Sequence, residues 1–131
     1  MNKIVKGLMI AGTLGASLMA FTRTADAKDK DGNIVVVIDP GHGGEDPGSL
    51  ATTGATESKC NYAIAEVMKK ELSKYDGVKV YLTREEDTWM TNMGRAMIAA
   101  DLNADFLISI HNNSGSDSNT GALAFRSLNS Y

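Results

Sequence analysis

Five consecutive apolar residues at positions 34–38, IVVVI, run without a polar interruption into DPGHGGEDPGS. A β-branched run of this kind, bounded by turn residues, predicts a strand covered on both faces, as in a parallel sheet. The segment after the run is more than a turn. Residues 39–49 hold four glycines, both prolines of the chain and one of its two histidines. That density of glycine keeps the backbone open while an imidazole is placed at the end of a buried strand.

The remaining elements fit the same architecture. Between residues 57 and 75 the positions Cys60, Ile64, Val67, Met68, Leu72 and Tyr75 recur at spacings of three and four, the stripe of an amphipathic helix. Thr56 is placed to cap it, and Glu57 in the first turn complements the helix dipole. Asp76 and Gly77 end that helix, and residues 78–82 (VKVYL) alternate as a second strand. A second helix is expected over 91–102, burying Met93, Ala96, Met97 and Ala100. A third strand is expected over 105–110 (DFLISI), with His111 immediately after it, and a fourth over 121–126 with little behind it. Strand, helix, strand, helix, strand predicts an α/β fold with a mostly parallel sheet flanked by helices, ending after about four strands.

The first 27 residues read separately. Lys3 and Lys6 precede the apolar stretch 8–21, and Ala25-Asp26-Ala27 supplies a small-x-small cleavage pattern, as in an export signal removed after Ala27. At 14 residues and with Gly12 and Gly15 inside it, the stretch is short for a membrane span, which needs about 20. The domain is then residues 28–131, a secreted or wall-associated chain with no membrane span after cleavage. Its loss of Lys3, Lys6 and Arg23 against Asp26 takes the net charge from −3 to −5, which speaks against nucleic acid as a partner. Cys60 is the only cysteine, so no intramolecular disulfide supports the fold. It reads as a small core residue rather than a nucleophile. Residues 112–120 read as a surface loop. Oligomeric state is not legible.

In a parallel sheet the carboxyl ends of the strands share one edge, and ligands bind there. His42 and His111 both come after strands, and Glu57 opens the helix rising from that edge. Two imidazoles and a carboxylate match a catalytic zinc, which takes three protein ligands and leaves a fourth position for water. Gly41, Gly43 and Gly44 let the backbone bend close to the ion, and Asp39 or Asp46 is available to accept the second ring N–H of a histidine. A phosphate-cradling loop is a poorer reading: Glu45 and Asp46 would repel phosphate, and neither Gly-Lys-Ser/Thr nor GxGxxG is present.

The motifs VVIDPGHGGEDPGS, Glu57 within GATESK, VYLTREED, the spacing of Arg95 and Ala99, and ADFLISIHNN together resemble the zinc-dependent N-acetylmuramoyl-L-alanine amidases of amidase type 3. The resemblance covers nearly all of residues 34–113. It implies that His42, Glu57 and His111 ligate one zinc ion, and that the substrate is peptidoglycan, cut at the amide joining N-acetylmuramic acid to L-alanine. It also implies a general-base glutamate on a late strand, expected beyond Tyr131, so that catalysis by residues 28–131 is expected to be impaired. Glu45 and Asp46 are weaker local substitutes. The alternative is a zinc-containing wall-binding module without turnover. Arg84 and Arg95 are expected to be structural partners of acidic groups.

Overall fold

The structure, a computed structural model, describes residues 16–22 by their backbone, and residues 28–115 and 121–126 in full. Residues 1–15 and 23–27 of the expected export signal, residues 116–120 of the expected surface loop and residues 127–131 lie outside the described residues.

Among the described residues seven elements follow in chain order: β1 (Ala16–Thr22), β2 (Ile34–Pro40), α1 (Glu57–Leu72), β3 (Val78–Leu82), α2 (Asn92–Asp101), β4 (Phe106–Asn112) and β5 (Ala124–Arg126). The strands form one sheet in the order β3-β2-β4-β1-β5. Its centre is parallel: β2 pairs with β3 in the register Val36↔Val80 and with β4 in the register Ile38↔Ile108. This is the expected α/β arrangement, and β2 is buried along almost its whole length as the uninterrupted apolar run requires. β1 adds antiparallel to β4, and β5 parallel to β1. Ala16–Thr22, read from the sequence as part of an export signal, is therefore a sheet strand in the full chain.

The core lies between α1 and the sheet. Val36, Ile38, Ala65 and Ile110 are buried together, with Ile64, Met68, Leu72, Val80, Leu82 and Ile108 packed around them. Val67 and Tyr75, expected in the buried stripe of α1, are exposed. The buried stripe instead runs through Glu57, Ser58, Asn61 and Ala65. It opens polar and turns apolar because the helix starts against the loops at the carboxyl edge of the sheet and then runs across the apolar face toward the amino ends of the strands. Thr56 is the N-cap by position, yet its hydroxyl makes no capping bond and lies instead 3.2 Å from Ser58 Oγ.

α2 departs further from its expected face. Met93 and Met97 are exposed, as are Ala96 and Ala100, whereas Arg95 and Ala99 are buried. The helix is turned so that a guanidinium, not a thioether, faces inward. Thr91, where the helix was expected to start, caps it by accepting from Gly94 N at 3.0 Å. β4 extends further than expected, so that His111 lies within the strand rather than after it.

Candidate metal centre

Three side chains meet where the carboxyl ends of β2 and β4 face the first turn of α1. His42 Nε2 lies 3.2 Å from Glu57 Oε1, and His111 Nδ1 lies 3.0 Å from the same oxygen. One ligand atom from each of His42, Glu57 and His111 lies within 4.8 Å of the others. The imidazole rings stand edge to face, with centroids 4.9 Å apart. Four-coordinate tetrahedral ligands at about 2.0–2.2 Å from zinc sit about 3.3–3.5 Å from one another, close to these spacings.

The protons support the same reading. His42 Nδ1 lies 2.9 Å from Asp46 Oδ2, and the hydrogen bonds from His42 and from Gly48 N hold the Asp46 carboxyl below its ordinary range. An ionised carboxylate only accepts, so His42 Nδ1 carries the proton and donates it to Asp46. In the neutral ring Nε2 is then a bare lone pair facing a carboxylate oxygen. Two acceptors at 3.2 Å repel unless a positive charge lies between them, and a metal ion meets that requirement. A carboxylate on the far nitrogen of a ligating histidine is the usual device for fixing the ring and its tautomer.

Glu57 is built to stay charged. Burial alone would raise its pKa, but donation from Ser49 N and Ser49 Oγ to Oε2 and from Asn112 N to Oε1, with the His111 imidazole 3.0 Å from Oε1, outweighs burial and lowers it from 4.5 to about 2. Its side chain is buried, while His42 and His111 are partly open to a cleft of about 570 Å³ whose walls include Arg95, Leu107, Ser109 and Phe125.

The glycines have distinct tasks. A Cβ at Gly41 would run into the His111 ring, so this position supplies clearance for the second imidazole rather than a bend. Gly43, at φ 130, supplies a conformation that side-chain-bearing residues rarely adopt. Gly48 leaves room for both His42 and Glu57, a task that the sequence alone did not reveal.

Asp39 and Asp46, the two aspartates considered as partners for a histidine, separate cleanly. Asp46 takes that place. Asp39 instead accepts from Thr83 Oγ1 at 2.6 Å, Arg95 Nη1 at 2.8 Å and Ser109 Oγ at 2.9 Å, in a buried network below the loop. Arg95 thus has the acidic partner expected of it. Arg84 does not: its N–H groups end on the carbonyls of Pro40, Gly41, Ser58, Glu85 and Glu86. Burial and the neighbouring Arg95 guanidinium lower the Arg84 pKa. Asn61, fully buried, donates to Gly41 O and accepts from Asn112 Nδ2, tying α1 to the loop and to β4. These groups act on backbone carbonyls, which leave no trace in a hydropathy pattern. Cys60 is half-buried on α1 and takes no part in the cluster.

Residues 36–130 match the family described as Amidase_3, N-acetylmuramoyl-L-alanine amidase. The chain belongs to this amidase family. Among curated relatives, the sporulation-specific N-acetylmuramoyl-L-alanine amidase of Bacillus subtilis is 39% identical over 83 residues, 63% of this chain and 32% of the relative. The amidase AmiA of Escherichia coli K12 is 40% identical over 85 residues, 65% of this chain and 29% of the relative. Among solved structures, the catalytic domain of CwlV, an N-acetylmuramoyl-L-alanine amidase from Paenibacillus polymyxa, superposes with a TM-score of 0.63 at 36% identity. That match covers 66% of this chain and 49% of the other. An N-acetylmuramoyl-L-alanine amidase from Clostridium difficile 630 gives the same TM-score at 38% identity, covering 68% of this chain and 48% of the other. The chain thus spans about half the length of these solved amidases and about a third of these curated ones.

Proposed function

We propose that this protein is a zinc-dependent amidase that hydrolyses the bond between N-acetylmuramic acid and L-alanine in peptidoglycan. The observation that carries the reading is the His42–Glu57–His111 cluster at the carboxyl edge of a parallel sheet, in a chain of the amidase family. The donor set of two nitrogens and one oxygen suits zinc, with a fourth position left for the reaction. When bound there, zinc supplies Lewis acidity toward the scissile carbonyl and brings a water within reach of ionisation near neutral pH.

The residues of the chain prepare that chemistry. Glu57 contributes a permanent negative charge whose second oxygen is engaged by Ser49. Asp46 holds the His42 ring with its proton on the side away from the cluster. The cleft beside the histidines gives a bulky glycopeptide an open approach, which a closed structural zinc site would deny. The proton that must reach the departing amine is assigned to none of the described residues. Of the two local substitutes considered from the sequence, Asp46 is engaged with Nδ1 on the far side of the His42 ring and Glu45 is exposed.

Residues 1–27 are proposed to direct export, which places the enzyme with its substrate at the cell wall. Among the described residues no helix is long and apolar enough to cross a membrane.

The test is the release of new L-alanine amino groups from purified peptidoglycan by the zinc-loaded chain, with and without a chelator. Slow, chelator-sensitive release is the expected result, since the described residues supply the metal ligands and no proton carrier. Zinc bound without any release would overturn the activity for this chain, and leave the wall-binding module as the better reading of the same centre.

A further inference from the structure

We propose that Arg95 is a positioning residue for the metal centre: it holds His42 in the left-handed backbone conformation that aims its imidazole at Glu57 and His111. The inference rests on the metal reading of that cluster.

His42 has φ 62, in a region that a residue with a Cβ rarely enters without being held there. The hold comes from a different element, 53 residues downstream. Arg95 Nη2 donates to His42 O at 2.7 Å, and Nη1 donates to Pro40 O at 2.8 Å. The same guanidinium is itself fixed from two sides, by Asp39 Oδ1 at 2.8 Å and by donation from Nε to Met90 O at 3.2 Å. Arg95 is only 5% exposed, so these bonds are made away from competing water. A planar donor group held at both ends and bonded to the carbonyls on either side of Gly41 dictates the path of the loop through residues 40–42. Arg84 supports Pro40 O and Gly41 O but not His42 O, so the residue that sets the ligand's own peptide is Arg95.

This also explains why α2 buries Arg95 and leaves Met93 and Met97 outside. The helix is rotated to deliver a guanidinium to the loop, and its apolar residues turn with it.

The experiment compares zinc affinity, by competition with a chromophoric chelator, in the full chain and in Arg95→Ala, Arg95→Lys and Ala99→Gly. Ala99 is buried one turn further along α2 and serves as a control for simple loss of helix stability. Each folded Arg95 variant is expected to bind zinc about 10- to 100-fold more weakly, the usual cost of removing an outer support of a metal ligand. The cobalt-substituted variants are expected to show altered visible d–d bands, because the ligand is re-aimed. Ala99→Gly is expected to lower the melting temperature while leaving zinc affinity and the cobalt spectrum unchanged. If Arg95→Ala does not fold, Arg95→Lys decides the question in the same way. Unchanged affinity and spectrum in a folded Arg95 variant, or an equal loss in Ala99→Gly, would overturn the inference. Failure of the unsubstituted chain to bind zinc would overturn the metal reading itself, and this inference with it.

Discussion

At the scale of single residues, the three proposed ligands were legible because the chain has only two histidines, both at the ends of apolar strands, and one acid that opens the helix between them. Their supports were not legible, because a bond to a backbone carbonyl demands a donor in the right place and no particular spacing. Asp46 is the exception, four residues from the histidine it holds. Asp46→Asn should weaken zinc binding by about 10- to 100-fold, since an amide can offer its N–H to Nδ1 and allow the other tautomer. Chelator competition measures this, and an unchanged affinity would remove Asp46 from its role. Gly41→Ala should be more severe, because the added methyl occupies the place of the His111 ring. Loss of stoichiometric zinc from a folded Gly41→Ala chain is the expected outcome. Glu57 gives a pH dependence for the metal-free chain. Its folded pKa, about 2, is below the ordinary 4.5, so its contribution to stability is present above about pH 4.5 and is lost as pH falls toward 2. The stability difference between the chain and Glu57→Gln should therefore shrink over that range in urea titrations; a difference that stays constant with pH would refute this.

At the scale of elements, hydrophobic pattern served well where both faces of an element are buried and poorly where only one is. The run at 34–38 has one reading, and β2 takes it. α1 and α2 each had a stripe that was misplaced in part, because Asn61 and Arg95 occupy positions that periodicity reserves for apolar side chains. In both helices the carboxyl edge of the sheet wins: its loop carbonyls need donors, and a buried carbonyl left unpaired costs about 1–3 kcal/mol. The energetic consequence is testable by thermal or urea unfolding. Ile38→Ala, in the centre of the core, should cost about 2–5 kcal/mol. Met97→Ala, on the exposed face of α2, should change stability by no more than about 0.5 kcal/mol. Equal costs would mean that the exposed face of α2 is in fact packed.

At the scale of the whole molecule, the α/β class and the parallel centre came from the order of elements, and right-handed crossovers leave few other ways to join them. The position of Ala16–Thr22 did not, because a segment patterned for export carries no signal for sheet register. In the full chain that strand covers the outer edge of β4. Removal of residues 1–27 would leave the β4 edge with unpaired N–H and C=O groups, a template for association. The chain of residues 28–131 should accordingly run larger or more heterogeneous than the full chain in light scattering at matched concentration. A monodisperse monomer would show that the edge is protected in another way.

Fold, site and proposed chemistry meet in one requirement, that His42, Glu57 and His111 together hold a zinc ion. A zinc titration of the full chain beside His42→Ala, Glu57→Ala and His111→Ala addresses it without any assay of turnover. One zinc per unsubstituted chain is expected, with none retained by any of the three variants at micromolar metal. One zinc per chain in the variants, or none in the unsubstituted protein, would rule the centre out.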